Sequence, residues 1–213
     1  MKTWLMADPH FGHGRYASGI VHMMSRVRPG TKSLFGSIDE HDAYLIDEIN
    51  STVERGDRLI IGGDFCWGNP EEYRKKIKCK NVDLVLGNHD NKGQCKRCFR
   101  NVYDILTLKV NCQGWSQSVT ISHYPLAFWE KSYAGSVHFY GHCHGMVEAR
   151  MDLAFPGRRS MDIGVDNLLD LTGCYKPVEA KELVCMVLER RAGHDDLEPY
   201  NTYRDRRFEE KTK

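Results

Sequence analysis

Val82-Asp83-Leu84-Val85-Leu86-Gly87-Asn88-His89-Asp90 is the stretch on which the fold turns. Its first five residues, apolar except for Asp83 and rich in β-favouring types, have the character of an inner strand in a sheet covered on both faces. The polar run falls at that strand's carboxyl end, where open α/β sheets place their ligand sites. Gly87 suits a tight turn, and Asn88, His89 and Asp90 add an amide oxygen, an imidazole and a carboxylate. Alone, such a run reads equally well as a solvated turn, so its weight depends on the rest of the chain.

Toward the amino terminus, Arg58-Leu59-Ile60-Ile61 reads as a second buried strand and Thr3 to Ala7 as a first. Between them, Ala43, Ile46, Ile49 and Val53 recur at helical spacing, with Ser37 and Glu40 placed as a capping box. Asn69-Pro70-Glu71-Glu72 opens a second helix, with proline at the first position and acids in the first turn. The series strand-helix-strand-helix-strand makes this half α/β. Beyond Asp104 the pattern changes to strands, at Leu106 to Val110, Ser118 to Ser122, Val137 to Tyr140 and Ser160 to Val165. A helix is expected after Pro177, and residues 191–213 form a highly charged tail.

With 213 residues and 41% hydrophobic composition, the chain is expected to form one domain over residues 1–213. A net charge of +1 argues against a dedicated nucleic-acid or membrane surface. The apolar start is interrupted at Asp8, too early for a signal peptide or membrane span. Eight cysteines without such a signal are expected to be free thiols in the cytoplasm. Cys95-Lys96-Arg97-Cys98 has no second cysteine pair at zinc-ribbon spacing.

Five short motifs share one property with the opening stretch: each puts acid, histidine or asparagine just after an expected strand. They are Asp8-Pro9-His10, Gly63-Asp64, Gly87-Asn88-His89-Asp90, Ser122-His123 and Gly141-His142-Cys143-His144. The spacing of two in Asp8-x-His10 and His142-x-His144 is expected to put both side chains on one face of an extended segment. Oxygen and imidazole donors favour Mn, Fe, Zn, Ni or Co over calcium. The seven candidates, Asp8, His10, Asp64, Asn88, His123, His142 and His144, exceed what one ion needs and suit two ions bridged by a carboxylate.

In their order, D-x-H, G-D, G-N-H-D, H and G-H-x-H, these motifs resemble the calcineurin-like metallophosphoesterase superfamily, over roughly Leu5 to His144. Asp8-Pro9-His10-Phe11-Gly12-His13 together with Tyr175-Lys176-Pro177-Val178 looks like its small single-domain bacterial and phage members. The resemblance implies an α/β fold, a four-layer sandwich of two packed mixed β-sheets flanked by helices, with the metal site at the strands' carboxyl ends. It implies that Asp8, His10, Asp64 and His144 hold one ion and that Asp64, Asn88, His123 and His142 hold the other, manganese being the first choice. By the same resemblance His89 and Asp90 are catalytic, Asp90 orienting His89, and a metal-bridging hydroxide cleaves the phosphoester of a nucleotide or small phosphorylated metabolite. A metal-dependent nuclease and a non-catalytic interaction scaffold are the alternatives.

Two basic clusters bear on substrate. The 24 residues from Gly14 to Ser37 carry Arg15, Arg26, Arg28 and Lys32 with no acid, and loops of that length are commonly functional or disordered. With Asn88, Arg15 and Arg26 are the candidate phosphate-binding residues. Lys92, Lys96, Arg97 and Arg100 follow the Gly87 to Asp90 loop and, with the first cluster, are expected to help form a groove for an oligonucleotide or dinucleotide. Arg74, Lys75, Lys76, Lys78 and Lys80 read as a solvated helix face. Oligomeric state is not legible.

Overall fold

Each short apolar run that the sequence marks as a buried strand forms one in the computed structural model, which describes residues 1–14, 35–112 and 114–192. β1 (Thr3–Met6), β2 (Arg58–Ile61), β3 (Asn81–Val85) and β4 (Asn101–Tyr103) run parallel in the order β4-β3-β2-β1, and β9 (Val178–Glu179) closes the far edge antiparallel to β1. Leu5 pairs with Ile60 and Ile61 with Leu84, so the apolar runs stack across the sheet. Asp83, the exception in β3, is fully buried. Its carboxylate accepts from Arg58, Arg100 and Asn101, which is how a charge is accommodated inside a sheet.

The second sheet has the order β5 (Ile105–Cys112), β6 (Trp115–Ser122), β7 (Val137–Tyr140), β8 (Ser160–Asp162). β5 and β6 form an antiparallel hairpin, while β6, β7 and β8 are mutually parallel. The helices are α1 (Ile38–Thr52), α2 (Pro70–Arg74), α3 (Lys92–Cys95), α4 (Glu148–Ala154), α5 (Val165–Thr172) and α6 (Ala180–Ala192). Two mixed sheets flanked by helices make the α/β sandwich that the sequence led us to expect. Leu5, Ile60 and Leu84 of one sheet and Val119, Phe139 and Met161 of the other belong to a single buried apolar cluster. The sheets also join directly: Ala7 N–H donates to the Ile163 carbonyl at 2.8 Å and Val165 N–H to the Ala7 carbonyl at 3.0 Å.

The helix caps follow the sequence closely. Glu40 N–H donates to Ser37 Oγ at 3.2 Å, and the Glu40 carboxylate reaches back to Gly36 N–H, one residue before the cap. Asn69 caps α2 through Glu71 N–H. Three readings differ. The strand expected from Ser160 to Val165 stops at Asp162, because α5 begins at Val165. Arg74 is not on a solvated face; its guanidinium donates to the carbonyls of Ile77, Cys79 and Lys80 and shapes the turn into β3. Of the tail, Arg191 and Ala192 close α6, and residues 193–213 lie outside the described residues.

Candidate metal centre

β1, β2 and β3 of the first sheet and β6 and β7 of the second all deliver their carboxyl ends to one place, and each end carries one of the five motifs. Asp64 is at its middle. Its Oδ1 accepts from His89 N–H at 2.9 Å. Its Oδ2 faces three imidazole nitrogens, His123 Nε2 at 3.4 Å, His10 Nε2 at 3.6 Å and His89 Nε2 at 3.9 Å. Two groups of potential ligand atoms, each within 4.8 Å of one another, share this carboxylate: Asp8, His10 and Asp64 on one side, Asp64, His123 and His142 on the other. Asn88 joins the second group, its Oδ1 2.9 Å from His123 Nε2. His144 stands beside the first, its ring stacked 5.2 Å from that of His10. All seven sequence-derived ligands are therefore brought together, with His144 outside the tight trio.

Local backbone explains how residues two apart converge, and here the expected reason is wrong. Asp8, His10, His142 and His144 do not alternate along an extended segment. With Asp64 they are five of the six non-glycine residues of positive φ among the described residues, at 49° to 69°. A left-handed backbone costs such residues on the order of 1–3 kcal/mol each, and this strain concentrates where function requires a geometry. The loops are held by hydrogen bonds that run between motifs. His142 N–H donates to Asp8 Oδ2 at 2.8 Å, and Gly12 N–H to Asp42 Oδ2 of α1 at 2.8 Å.

The donor set fits cations. His123 Nδ1 lies 3.1 Å from the Gly62 carbonyl, which only accepts, so Nδ1 carries the hydrogen and Nε2 keeps its lone pair toward Asp64 and Asn88. Nε2 of His123, Oδ1 of Asn88 and Oδ2 of Asp64 then form a cluster of acceptors that a cation neutralises. Burial, reinforced by neighbouring His123, lowers the His142 imidazole, which favours the neutral form that ligates.

His89 is one-third exposed. Its ring packs 4.6 Å from Trp67, which stacks on His13 at 4.6 Å and 10°. On the other flank, half-exposed Tyr124 lies edge-on to His123 and His142 at 5.1 and 4.7 Å. Beside Asn88 and His123 opens a cavity of about 460 Å³, bounded also by Tyr124, Leu126 and Ile105.

The orienting role expected of Asp90 toward His89 is corrected. Its carboxylate accepts from Phe65 N–H at 2.9 Å and Gly87 N–H at 2.8 Å, so it ties the β3 loop to the β2 loop; burial raises its pKa to about 6. The basic groove is also reduced. Lys92 pairs with Asp104 and Arg100 with buried Asp83, leaving Lys96 and Arg97 of that cluster. Arg15 and Arg26, with the rest of 15–34, lie outside the described residues. All eight cysteines are free, and burial pushes the Cys95 thiol up to about 12 and raises the Cys98 thiol, which disfavours the thiolate form of the CxxC pair.

Sequence reasoning missed Asp42, Asp162 and Asp166. Asp162, buried next to Asp8 and with its pKa pushed to about 6 by burial, accepts from Gly145 N–H and Gly164 N–H. His144 Nδ1 lies 2.7 Å from Asp166 Oδ2. Asp162 ends β8 and Asp166 lies in the first turn of the helix that follows; Asp166 comes directly after the strand expected to end at Val165, so the rule that singled out the five motifs, an acid just past a strand, was able to find it.

No protein-family model matches the chain. The gene 66 protein of Mycobacterium phage L5 is 23% identical over 194 residues, covering 78% of this chain and 86% of its own length. A crystal structure of a protein of unknown function from Aquifex aeolicus superposes with a TM-score of 0.61 at 20% identity, over 87% of this chain and 98% of that one. That likeness extends to the fold, and among the described residues no helix is long and apolar enough to cross a membrane.

Proposed function

We propose that this chain is a dinuclear metal-dependent phosphoester hydrolase of the calcineurin-like metallophosphoesterase type, acting in the cytoplasm on a nucleotide or small phosphorylated metabolite. The observation that carries the reading is Asp64, one buried carboxylate shared by two tight ligand groups. Asp8, His10, Asp64 and His144 would hold one ion and Asp64, Asn88, His123 and His142 the other, manganese being the first choice. Such a pair supplies an acidified water and charge neutralisation at a phosphate.

The remaining steps belong to the chain itself. His89, at the mouth with its Nε2 toward Asp64, delivers a proton to the leaving oxygen. Asn88 turns Oδ1 to His123 and keeps its NH2 for a phosphate oxygen. Asp64 Oδ1 holds the His89 backbone, coupling the proton donor to the bridging ligand. Two of the four basic residues past this loop being paired within the fold favours a small substrate over an oligonucleotide.

The test is turnover by manganese-reconstituted protein across monoesters, diesters, cyclic nucleotides, dinucleoside polyphosphates and short oligonucleotides. His89→Ala is expected to keep both ions and lose about two orders of magnitude or more in rate. Asp64→Asn is expected to lose ions and activity together. Metal-dependent cleavage of none of these substrates overturns the reading; cleavage of oligonucleotides alone replaces it with a nuclease.

A further inference from the structure

We propose that Asp166 is a positioning residue that presents His144 to one of the two ions and sets that ion's affinity; the proposal rests on the two-metal reading. His144 needs such help more than the other imidazoles. It stands outside the tight trio of Asp8, His10 and Asp64, held beside them by a 5.2 Å ring stack on His10. Its backbone is left-handed, at φ 50°.

Asp166 Oδ2 lies 2.7 Å from His144 Nδ1, and the two side chains are only 11% and 8% exposed. A carboxylate only accepts, so Nδ1–H donates and Nε2 is left with the lone pair, the tautomer a ligand needs. The other tautomer would set a nitrogen lone pair against an anionic oxygen at that distance.

The pairing is built into the fold. Asp166 lies in the first turn of α5, and the start of α5 is tied to the His144 loop through buried Asp162. One oxygen of Asp162 accepts from Gly145 N–H at 2.9 Å, the other from Gly164 N–H at 2.6 Å, and its carbonyl accepts from Asn167 Nδ2 at 2.7 Å. A single carboxylate thus clamps the residue after His144 to the residue before α5. In the second ligand group the Gly62 carbonyl does for His123 what Asp166 does for His144, so each group contains one imidazole with a fixed Nδ1–H.

The experiment titrates Mn2+ into chelator-treated full-length wild type, Asp166→Ala and Asp166→Asn, following both binding steps by calorimetry, with 15N spectra of the histidine rings recorded without metal. Asp166→Ala is expected to weaken one step 10- to 100-fold and leave the other unchanged, while the Nδ1–H signal of His144 gives way to its tautomer. Asp166→Asn, which keeps an oxygen acceptor without the charge, is expected to lose less and serves where the alanine variant folds poorly. Two unchanged steps, or equal weakening of both, would overturn the assignment. Uptake of no Mn2+ by wild type would overturn the two-metal reading and this assignment with it.

Discussion

One oxygen of Asp64 within 4 Å of three imidazole nitrogens is a residue-scale arrangement suited to a cation held between them. The seven candidate ligands were legible because each follows a strand. The supporting residues were not: Asp90 sits in the right motif, yet its oxygens go to backbone N–H groups, a choice set by distances that spacing does not encode. A histidine of another kind, also unreadable from sequence, is His138. It is fully buried in β7, its Nε2 2.7 Å from Ser122 Oγ and its ring 5.1 Å from Trp129 and 5.4 Å from Tyr140. Burial first and the charge of Arg158 second push its pKa down to about 3, and Arg158 stays charged through Glu148 and Asp152. The folded state then binds fewer protons than the unfolded one between about pH 6.5 and 3, so His138 costs nothing above this window and destabilises as pH falls through it. Compared with His138→Gln, wild-type metal-free protein is expected to lose up to about 1.4 kcal/mol more stability per pH unit on acidification below pH 6. Urea unfolding of both proteins from pH 7 to pH 4 measures this, and parallel curves would show that the charged ring is tolerated.

At the scale of elements, strands with a polar loop at the carboxyl end were readable, as was short α2 from its cap and proline, and the short helices α3, α4 and α5 were not. α4 buries none of its residues, so it shows no apolar stripe; α5 has one helical repeat in Val165, Leu168 and Leu169 before Gly173 ends it. The glycine of the β3 loop was read as suiting a tight turn, and the turn is there, Asp90 N–H donating to the Gly87 carbonyl at 3.3 Å, but the residue gives more than that. Gly87 has no left-handed backbone to sustain; what it gives is room, since a Cβ there would lie 2.2 Å from Asp64 Oδ1 and 2.4 Å from Asp64 N. Gly141 does the same for Asp8, whose Oδ2 would be 2.5 Å from a Cβ. Close approach of loop to loop is therefore how strands from the two sheets bring the candidate ligands together. Gly87→Ala is expected to displace the Asp64 carboxylate, lower stability by about 1–3 kcal/mol, as overpacking does, and abolish uptake of both ions. Gly56→Ala, where a Cβ meets nothing within 4 Å, is the control, and thermal melts with elemental analysis compare the two. Full manganese content in Gly87→Ala would mean the loops can separate without losing the site.

For the whole molecule, the sandwich is the means by which distant segments meet: Asp8 and His142 are 134 residues apart and joined by a 2.8 Å hydrogen bond. The order of the motifs pointed to this meeting, and the seam that produces it, Ala7 hydrogen-bonded to Ile163 and Val165, has no signature in composition or periodicity. Folding the chain without metal therefore gathers acceptors and five left-handed residues at one point, both unfavourable, and an ion that binds only this arrangement stabilises the fold as a whole. At a free concentration of 100 times its Kd each ion contributes about 2.7 kcal/mol. Two ions would give about 5 kcal/mol, or roughly 10–20 °C in Tm for a chain of this size. Scanning calorimetry of chelator-treated protein with and without Mn2+ is expected to show that rise in wild type and in His89→Ala, whose side chain holds no ion. In Asp64→Asn most of it should vanish, because the shared carboxylate serves both sites. An equal rise in Asp64→Asn would place the stabilising ions elsewhere in the molecule, and no rise in wild type would mean that the strained loops are sustained by the sandwich alone.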